Sequence, residues 1–321
     1  MGTAGGSPAL EISGLSKSYP TGALHQGRRS ALEDLTLSVP RGEVFGYLGP
    51  NGSGKTTTLK VVMGLLRADR GGARVLGVPH VERAWRHRAG YLPENPYLYD
   101  YLSPDEYLDY TGRLFGMSAP DRRDRSRKVL ERVGLAASAR VPMRRFSKGM
   151  LQRAGLAQAL LNDPELVFLD EPMSGLDPIG RHMVKEVILD LRKQGRTVFF
   201  STHILSDAES LCDRVGLLRA GRLVTAGRLD EILRIDVAHL EVLASGVDEA
   251  LLGRLEGLKG RRPLGERWSL EVEEKSLAPL VRAVHDGGGR ILSVQPVRES
   301  LEEYFVRAMQ SPASDRPWEA A

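Results

Sequence analysis

Short apolar runs separated by helix-like stretches fill the first two thirds of the chain. Pro164–Glu171 contains a continuous apolar run that ends in two carboxylates, which is typical of a central strand buried on both faces. Ala31–Val39 alternates instead, with Leu35, Leu37 and Val39 on one face, and this predicts a half-buried antiparallel strand. The polar segment before it, Thr21–Arg29, is predicted to be a loop. Repeated alternation of strands and helices predicts a doubly wound, mainly parallel sheet, with ligands at the carboxyl ends of its strands.

Between two of these strands the period changes from strand-like to helical. Ser103, Pro104 and Glu106 form a capping box that predicts a helix to about Phe115. Further helices are predicted over Pro120–Val133 and Ser147–Leu161, so that a helical subdomain covers about residues 95–160. The segment 121–148 is strongly basic, which is consistent either with a solvated helical face or with a docking face for a partner at a membrane surface.

From about residue 236 the pattern changes again. Strands near Val237–Leu243, Leu258, Trp268–Val272 and Arg290–Val294 are interspersed with helices over Val247–Leu255, Ser276–His285 and Leu301–Met309. This approximates the β-α-β-β-α-β order of a small α+β module. No cluster of His, Cys or paired acids marks it as catalytic, so we interpret it as a structural or regulatory appendage.

Composition narrows the class of protein without deciding it. The chain has 321 residues, which suggests about two domains, and its 45 basic and 41 acidic residues give a net charge of +4. That balance does not argue for nucleic acid as a partner. Cys212 is the single cysteine, which fits a reducing cytosol, and no apolar stretch is long enough to span a bilayer. We expect residues 1–8 and 311–321 to be flexible tails.

A phosphate-binding loop lies between a predicted strand, Glu43–Leu48, and a predicted helix, Thr56–Met63. It matches the P-loop pattern G-x-x-x-x-G-K-[ST], and its residues are Gly49, Pro50, Asn51, Gly52, Ser53, Gly54, Lys55, Thr56 and Thr57. Backbone N–H groups of such a loop, together with the helix N-terminus, bind an anion. Lys55 would reach the β- and γ-phosphates of a nucleotide, and the Thr56 hydroxyl would bind Mg²⁺.

Three further candidate site residues fall at predicted strand ends. Asp170 is placed to hold Mg²⁺ opposite Thr56, and Glu171 would polarise an attacking water. Two adjacent carboxylates at a buried strand end repel each other and are costly without a cation. His203 follows the strand Arg196–Ser201 and could donate to the γ-phosphate.

Taken in order, these motifs resemble an ABC transporter nucleotide-binding subunit. The resemblance covers about Leu10–Leu233 and includes Phe146–Arg153, which departs from the family signature Leu-Ser-Gly-Gly-Gln but keeps Ser147 and Gly149, and Ser174–Asp177. It implies a P-loop NTPase (RecA-like) α/β core with an antiparallel β subdomain and an α-helical insert. With the small C-terminal α+β domain, the predicted organisation is a nucleotide-binding domain over residues 9–233 and an accessory domain over residues 236–310.

The resemblance also implies roles for individual residues. Ser147 and Gly149 would contact ATP held by a second nucleotide-binding subunit, and Ser174 and Asp177 would couple the two sites. Dimerisation, as a homodimer or a heterodimer, is therefore implied. Tyr19 matches the aromatic residue that stacks on adenine. Glu94 stands where the family usually has Gln; its carboxylate can still bind Mg²⁺, but it adds negative charge beside the γ-phosphate.

The function implied is ATP hydrolysis that drives a separate integral-membrane permease through ATP-dependent dimer closure. The end of the chain looks like the extension of ABC-2-type exporter subunits, so an exporter is expected, cytoplasmic and peripheral on the inner face of the cell membrane. The alternative is a soluble ABC-type ATPase acting on ribosomes or nucleic acid. The two nucleotide-binding halves, long coiled coils or zinc insertions of those classes are absent from this sequence.

Overall fold

The computed structural model describes residues 7–21, 27–233, 239–253, 257–297 and 301–310. The chain divides into two compact units, with the boundary between Leu229 and Asp230. Residues 1–6 and 311–321 of the predicted tails lie outside the described residues, as do residues 236–238 at the start of the predicted accessory domain.

The strands and helices of the first unit follow the predicted alternation. Its described strands are β1 (Leu10–Thr21), β2 (Gly27–Val39), β3 (Val44–Leu48), β4 (Arg70–Val75), β5 (Val78–Pro79), β6 (Ala89–Leu92), β7 (Leu166–Asp170), β8 (Thr197–Thr202), β9 (Arg214–Arg219) and β10 (Arg222–Arg228). Its described helices are α1 (Lys55–Val62), α2 (Pro104–Leu114), α3 (Ala119–Arg132), α4 (Lys148–Leu160), α5 (Pro178–Lys193) and α6 (Leu205–Leu211), and α7 (Leu229–Ile232) lies at the unit boundary.

Two sheets organise this unit. A six-stranded sheet has the order β10-β9-β3-β8-β7-β6, and its strands are parallel except for β10, which pairs antiparallel with β9. A four-stranded antiparallel sheet has the order β2-β1-β4-β5. The parallel core and the antiparallel β subdomain predicted from the sequence are therefore confirmed.

The apolar core lies where α1 and the antiparallel sheet meet one face of the parallel sheet. Phe45 and Tyr47 of β3, Phe168 of β7 and Phe199 of β8 are almost fully buried in a single cluster with residues of β1, β2 and α1. The Phe45 and Phe199 rings stack with centroids 5.6 Å apart. Because adjacent strand residues point to opposite faces, strands buried this way need the continuous apolar runs seen in the sequence.

The helical insert begins with α2 at the predicted capping box. Ser103 Oγ accepts from the Glu106 backbone N–H, and the Glu106 carboxylate accepts from the Ser103 N–H at 2.8 Å. Several arginines of the basic segment are bound within the insert or to the core. Arg122 pairs with Asp109 at 2.6 Å, and Arg125 donates to the carbonyl oxygens of Leu160 and Leu161.

The second unit is an antiparallel sheet with helices. Its described strands are β11 (His239–Ser245), β12 (Leu258–Leu264), β13 (Arg267–Val272) and β14 (Arg290–Val297), in the order β12-β13-β11-β14. Its described helices are α8 (Glu249–Leu252), α9 (Leu277–Asp286) and α10 (Leu301–Gln310). Val242, Leu270, Leu280 and Val284 lie at the centre of its core. Residues 254–256, at the end of the predicted helix over Val247–Leu255, lie outside the described residues.

One sequence expectation needs correction. The polar segment Thr21–Arg29 is predicted to be a loop, and its residues 22–26 lie outside the described residues. At its two ends the prediction is wrong, because Thr21 belongs to β1, and Gly27–Arg29 belong to β2 and pair with Tyr19, Pro20 and Thr21. The side chains here alternate little in polarity because this part of the ribbon is exposed on both faces. Hydrophobic periodicity therefore carries no signal there, and cross-strand hydrogen bonds decide the structure.

Asp69 anchors the outer end of this ribbon. Its carboxylate accepts from the Ser18 backbone N–H at 2.8 Å, from Ser18 Oγ at 2.7 Å and from Lys17 Nζ at 3.1 Å, and it pairs with Arg28 at 3.2 Å. The Ser18 hydrogen bonds are the largest cause, and Lys17 adds to them, so that the pKa of Asp69 lies well below its usual range. The site thus favours the ionised carboxylate.

This network predicts how the stability of the fold changes as the pH is lowered. A carboxylate whose pKa is lowered by folding stabilises the fold above its unfolded pKa, near 3.8, and that stabilisation is lost as the pH falls from there toward the folded pKa. Asp69→Asn should therefore lower the thermal unfolding midpoint at neutral pH, and the difference from the unsubstituted protein should shrink below about pH 4. Calorimetry across this pH range measures it.

Glu82→Gln is the matched control, because Glu82 is exposed and its carboxylate has no hydrogen-bond partner or ion pair among the described residues. A difference between Asp69→Asn and the unsubstituted protein that stays constant into the acid range would contradict the assigned role.

Candidate functional site

The P-loop connects β3 to α1 at the carboxyl edge of the parallel sheet. Gly54 has φ 112°, and a Cβ there would lie 2.6 Å from the Ala31 carbonyl oxygen, so only glycine fits. Lys55 is buried, and its Nζ donates to the carbonyl oxygens of Gly49 at 2.7 Å and Pro50 at 3.3 Å. The loop therefore holds its lysine folded back over the anion-binding turn.

A second strand of the site, β7, ends at Asp170. In the parallel register Asp170 is paired with Ser201 of β8, and Ser201 Oγ donates to Asp170 Oδ1 at 2.6 Å. Thr56 Oγ1, at the start of α1, donates to the same oxygen at 3.3 Å. Asp170 Oδ2 is buried and has no hydrogen-bond partner.

Glu171 follows Asp170 in a backbone conformation that is unusual for a residue with a side chain, with φ 48°. Its backbone N–H donates to the Ser201 carbonyl oxygen and to Ser201 Oγ, at 3.2 Å and 3.1 Å. This turn directs the carboxylate between Lys55, whose Nζ lies 3.4 Å from Oε1, and His203, whose Nδ1 lies 3.0 Å from Oε2. Strained backbone of this kind is concentrated at functional sites.

Electrostatics distinguish Asp170 from an ordinary surface carboxylate. Burial raises the pKa of Asp170 above its usual value, and the nearby carboxylates of Glu94 and Glu171 raise it further. Hydrogen bonds from Ser201 and Thr56 lower it. The ionised form is thus under-compensated by the protein, which is the situation that a bound cation relieves.

The donor set fits a divalent cation held jointly by protein and phosphate. The Asp170 carboxylate has one buried oxygen without a hydrogen-bond partner, and the Thr56 hydroxyl bonds to its other oxygen. The exposed Glu94 and Thr56 line one cavity. Oxygen ligands of this kind suit Mg²⁺, which takes one or two carboxylates and completes its shell with water and phosphate oxygens. No group of three or more His, Cys, Asp or Glu side chains in the described part of the chain could hold a metal by itself.

These residues surround a cavity of about 580 Å³. Its lining comprises Tyr19, Thr21, Arg29, Ser30, Ala31, Asn51, Gly52, Gly54, Lys55, Thr56, Thr57, Glu94, Glu171, Ser174 and His203. The P-loop, Glu94, Glu171, His203 and Tyr19, which the sequence places far apart, are thus brought to one site. The volume is in the range of small-molecule and cofactor pockets.

Seven of the predicted site residues lie outside this lining. Gly49, Pro50 and Ser53 belong to the P-loop itself and Asp170 ends β7 beside it, whereas the other three lie on other helices. Ser147 is the N-cap of α4, and its Oγ accepts from the Met150 N–H at 3.2 Å. Gly149 follows it in the first turn, and Asp177 is the N-cap of α5, accepting from the Gly180 N–H at 2.7 Å. Within one chain these residues contribute helix caps, and their assignment to a nucleotide remains a prediction.

Sequence reasoning missed Ser201 and Arg29. Ser201 contacts both Asp170 and the Glu171 backbone. The sequence feature that could have predicted this role is its position at the end of β8, the strand that pairs with β7. Arg29 lines the cavity beside Tyr19, but the polar segment around it carried no signal for a strand.

Comparison with known proteins decides the family. The family model for ABC transporters matches residues 32–174. An ABC transporter ATP-binding protein of Synechocystis is 45% identical over 298 residues, which cover 92% of this chain and 83% of that protein. This chain belongs to the ABC transporter ATP-binding proteins. It is accordingly an ATP-binding subunit and an ATPase.

Other members of the family have assigned roles. A daunorubicin resistance ATP-binding protein of Streptomyces coeruleorubidus is 37% identical, with 93% of this chain and 95% of that protein covered. A Nod factor export ATP-binding protein of Ralstonia nicotianae is also 37% identical, with 82% and 79% covered. These names describe those two proteins.

Solved structures agree on the fold. An ATP-binding subunit of an ABC transporter superposes with a TM-score of 0.63 at 34% identity, covering 70% of this chain and 92% of that chain. A dimeric bacterial ABC transporter cassette superposes with a TM-score of 0.64 at 24% identity, and covers 68% and 98%. The predicted fold class, a P-loop NTPase core with its antiparallel subdomain, is confirmed.

In residues 7–21, 27–233, 239–253, 257–297 and 301–310, no helix has the length and apolar character needed to cross a bilayer.

The double contact of Ser201 gives a prediction. Ser201→Ala removes one hydrogen bond to Asp170 and one to the Glu171 N–H, so both carboxylates lose their positioning. We expect the ATPase turnover number to fall by about 10- to 100-fold, the usual cost of removing an outer partner of a metal-site ligand. Steady-state phosphate release measures it.

Ser210→Ala is the control, since the Ser210 hydroxyl bonds to the Asp207 carbonyl oxygen on α6 and contacts none of the site residues described above. Unchanged turnover in Ser201→Ala, with an unfolding midpoint like that of the control, would show that Ser201 does not position the carboxylates.

Proposed function

We propose that this subunit hydrolyses ATP with Mg²⁺ in the cavity at the carboxyl edge of the parallel sheet, and that hydrolysis drives export through a separate membrane permease. The observation that supports the site best is the line of contacts from Lys55 through Glu171 to His203, beside the unpartnered Asp170 Oδ2. Each group carries a charge or a donor that phosphoryl transfer to water requires.

The proposed roles follow from position. The P-loop N–H groups and Lys55 bind the phosphates, and Thr56 with Asp170 holds the cation, with Glu94 close enough to contribute through its carboxylate. Mg²⁺, when bound, neutralises charge on the phosphate oxygens. Tyr19, which is 38% exposed at the other end of the cavity, stacks on the base.

Glu171 is the proposed group that polarises water. Its carboxylate lies between Lys55 on one side and His203 on the other. Phosphate oxygens compete with Glu171 for the Lys55 ammonium, because both are anionic partners of one buried cation. Nucleotide binding therefore releases one carboxylate oxygen to accept a proton from water, while His203 keeps the other oriented.

A second subunit completes the proposed mechanism. Ser147 and Gly149 open α4 outside the cavity of their own chain, where the Ser147 hydroxyl and the first N–H groups of the helix are suited to a phosphate. We propose that they contact ATP on a partner nucleotide-binding subunit, and that Asp177 helps to couple the two sites. A closed site then needs two subunits.

The membrane partner is proposed to bind the helical insert. Tyr97 is 95% exposed and Tyr101 is 64% exposed, and Tyr99 lies between Tyr101 and Tyr110 with ring centroids 5.9 Å from each. Exposed tyrosines of this kind are enriched in protein interfaces. The relatives named for Nod factor export and daunorubicin resistance support an exporter, and the location would be the cytoplasmic face of the membrane.

Glu171→Gln tests the hydrolytic role. The amide keeps the shape of the side chain but cannot accept a proton from water, so turnover should fall by at least about 100-fold while ATP binding persists. We expect ATP-bound dimers to accumulate, as measured by phosphate release together with light scattering after gel filtration.

Glu186→Gln on the exposed face of α5 is the control for this substitution. Hydrolysis by Glu171→Gln at the rate of the unsubstituted protein would remove Glu171 from its proposed role.

The exposed side chains of Tyr97 and Tyr101 allow a test of the proposed membrane partner. The double variant Tyr97→Ser with Tyr101→Ser removes two exposed rings, and we expect it to lower recovery of a multispanning membrane protein with the tagged subunit by several-fold. Detergent extraction followed by quantitative mass spectrometry measures the recovery. Val81→Ser, at another apolar position that is 72% exposed, is the control.

Equal recovery with the double variant and the control would place the permease contact elsewhere. Co-sedimentation with ribosomes or DNA in place of a membrane protein would favour the soluble alternative instead.

A further inference from the structure

Arg29 is a charged side chain of the cavity for which the proposed catalytic residues provide no partner. It lies on β2 and lines the cavity, and among the described residues no hydrogen bond or ion pair holds its guanidinium. The adjacent Arg28 is bound: its Nε donates to Ser18 Oγ at 2.8 Å, and its Nη2 lies 3.2 Å from Asp69 Oδ2. Two neighbouring arginines therefore have opposite environments.

The register of β1 with β2 fixes what Arg29 lies beside. Arg29 is the direct cross-strand partner of Tyr19, and directly paired residues of antiparallel strands point to the same face. Their Cβ atoms are typically about 5 Å apart, within reach of long side chains. Arg29 and Tyr19 therefore share one wall of the cavity.

The position of Arg29 along β2 shows how far it lies from the phosphate-binding end of the cavity. Ala31, two residues further along β2, approaches the P-loop at Gly54, where a Cβ would lie 2.6 Å from the Ala31 carbonyl oxygen. Two residues of a strand span about 7 Å. Arg29 is thus displaced from the P-loop toward the end of the cavity where Tyr19 lies.

The chemistry of a guanidinium restricts which part of a nucleotide Arg29 can bind. Arginine carries only donors, so it binds acceptors and cannot accept from the amino group of adenine. Guanine presents two adjacent acceptors, O6 and N7, that match the guanidinium fork, whereas adenine presents N7 beside a donor. An arginine at the edge of a purine therefore favours guanine.

We propose that Arg29 binds the edge of the purine that stacks on Tyr19, and that it makes this site accept GTP as well as ATP. The inference rests on the proposed nucleotide site and adds a residue that determines its base specificity. The base stacks on the aromatic ring and its edge meets the donor fork beside that ring, while the phosphates remain with Lys55 and the P-loop.

Binding of ATP and GTP by the full chain, measured by calorimetry in Mg²⁺, tests the proposal. For Arg29→Ala we expect about tenfold weaker GTP binding and about threefold weaker ATP binding, because the bidentate contact to guanine is lost. The informative quantity is the change in the ratio of the two dissociation constants. A contact to phosphate or ribose would weaken both nucleotides equally, and that outcome would overturn the proposal.

Two further variants separate geometry from charge. Arg29→Lys keeps the charge but lacks the planar fork, so its GTP binding should resemble that of Arg29→Ala. Arg67→Ala removes the same charge from an exposed position outside the cavity lining and should leave the ratio unchanged. A lysine that restores the GTP affinity, or an equal change of the ratio in Arg67→Ala, would contradict the assignment.

The outcome also distinguishes the two proposals. If the unsubstituted chain binds neither nucleotide, the proposed site fails and this inference fails with it. If ATP binds and the ratio is independent of Arg29, the site stands and the specificity role alone is wrong.

Discussion

The parallel pairing of β7 with β8 is the constraint on which the site depends. It sets Ser201 opposite Asp170, so that one hydroxyl binds the Asp170 carboxylate and also accepts from the Glu171 backbone. A shift of one residue would turn the strand-end side chains to the opposite face. The buried aromatic layer of Phe168 and Phe199 resists such a shift, because both rings pack in the same core.

Charge at this edge is balanced only in part by the protein. Lys55 offsets Glu171, but the buried Asp170 Oδ2 has no partner, and burial raises the pKa of Asp170. Burying an unpaired carboxylate oxygen is costly, and the fold tolerates this cost where a ligand removes it. The proposed cation and nucleotide therefore complete an arrangement that the protein's own groups leave unbalanced.

The antiparallel ribbon of β1 and β2 contributes the other wall of the cavity. Asp69 fixes its outer end through Ser18, Lys17 and Arg28, and this holds Tyr19 and Arg29 at fixed positions on the cavity side. Lys17 Nζ also lies 5.8 Å from the centroid of the Tyr19 ring. The stability of an exposed ribbon and the shape of the proposed base-binding end of the cavity are thus coupled through one carboxylate.

The sequence alone determined the elements whose signal is local. The P-loop spacing, the capping box at Ser103 and the apolar run that ends at Asp170 each depend on neighbours within a few residues, and their order was enough to indicate the family. The tertiary structure decided what depends on register between distant strands: the double contact of Ser201, the extension of β2 to Gly27, and the position of Arg29 beside Tyr19. Exposed, uniformly polar strands show no periodicity, so their pairing is set by cross-strand hydrogen bonds that no local pattern records.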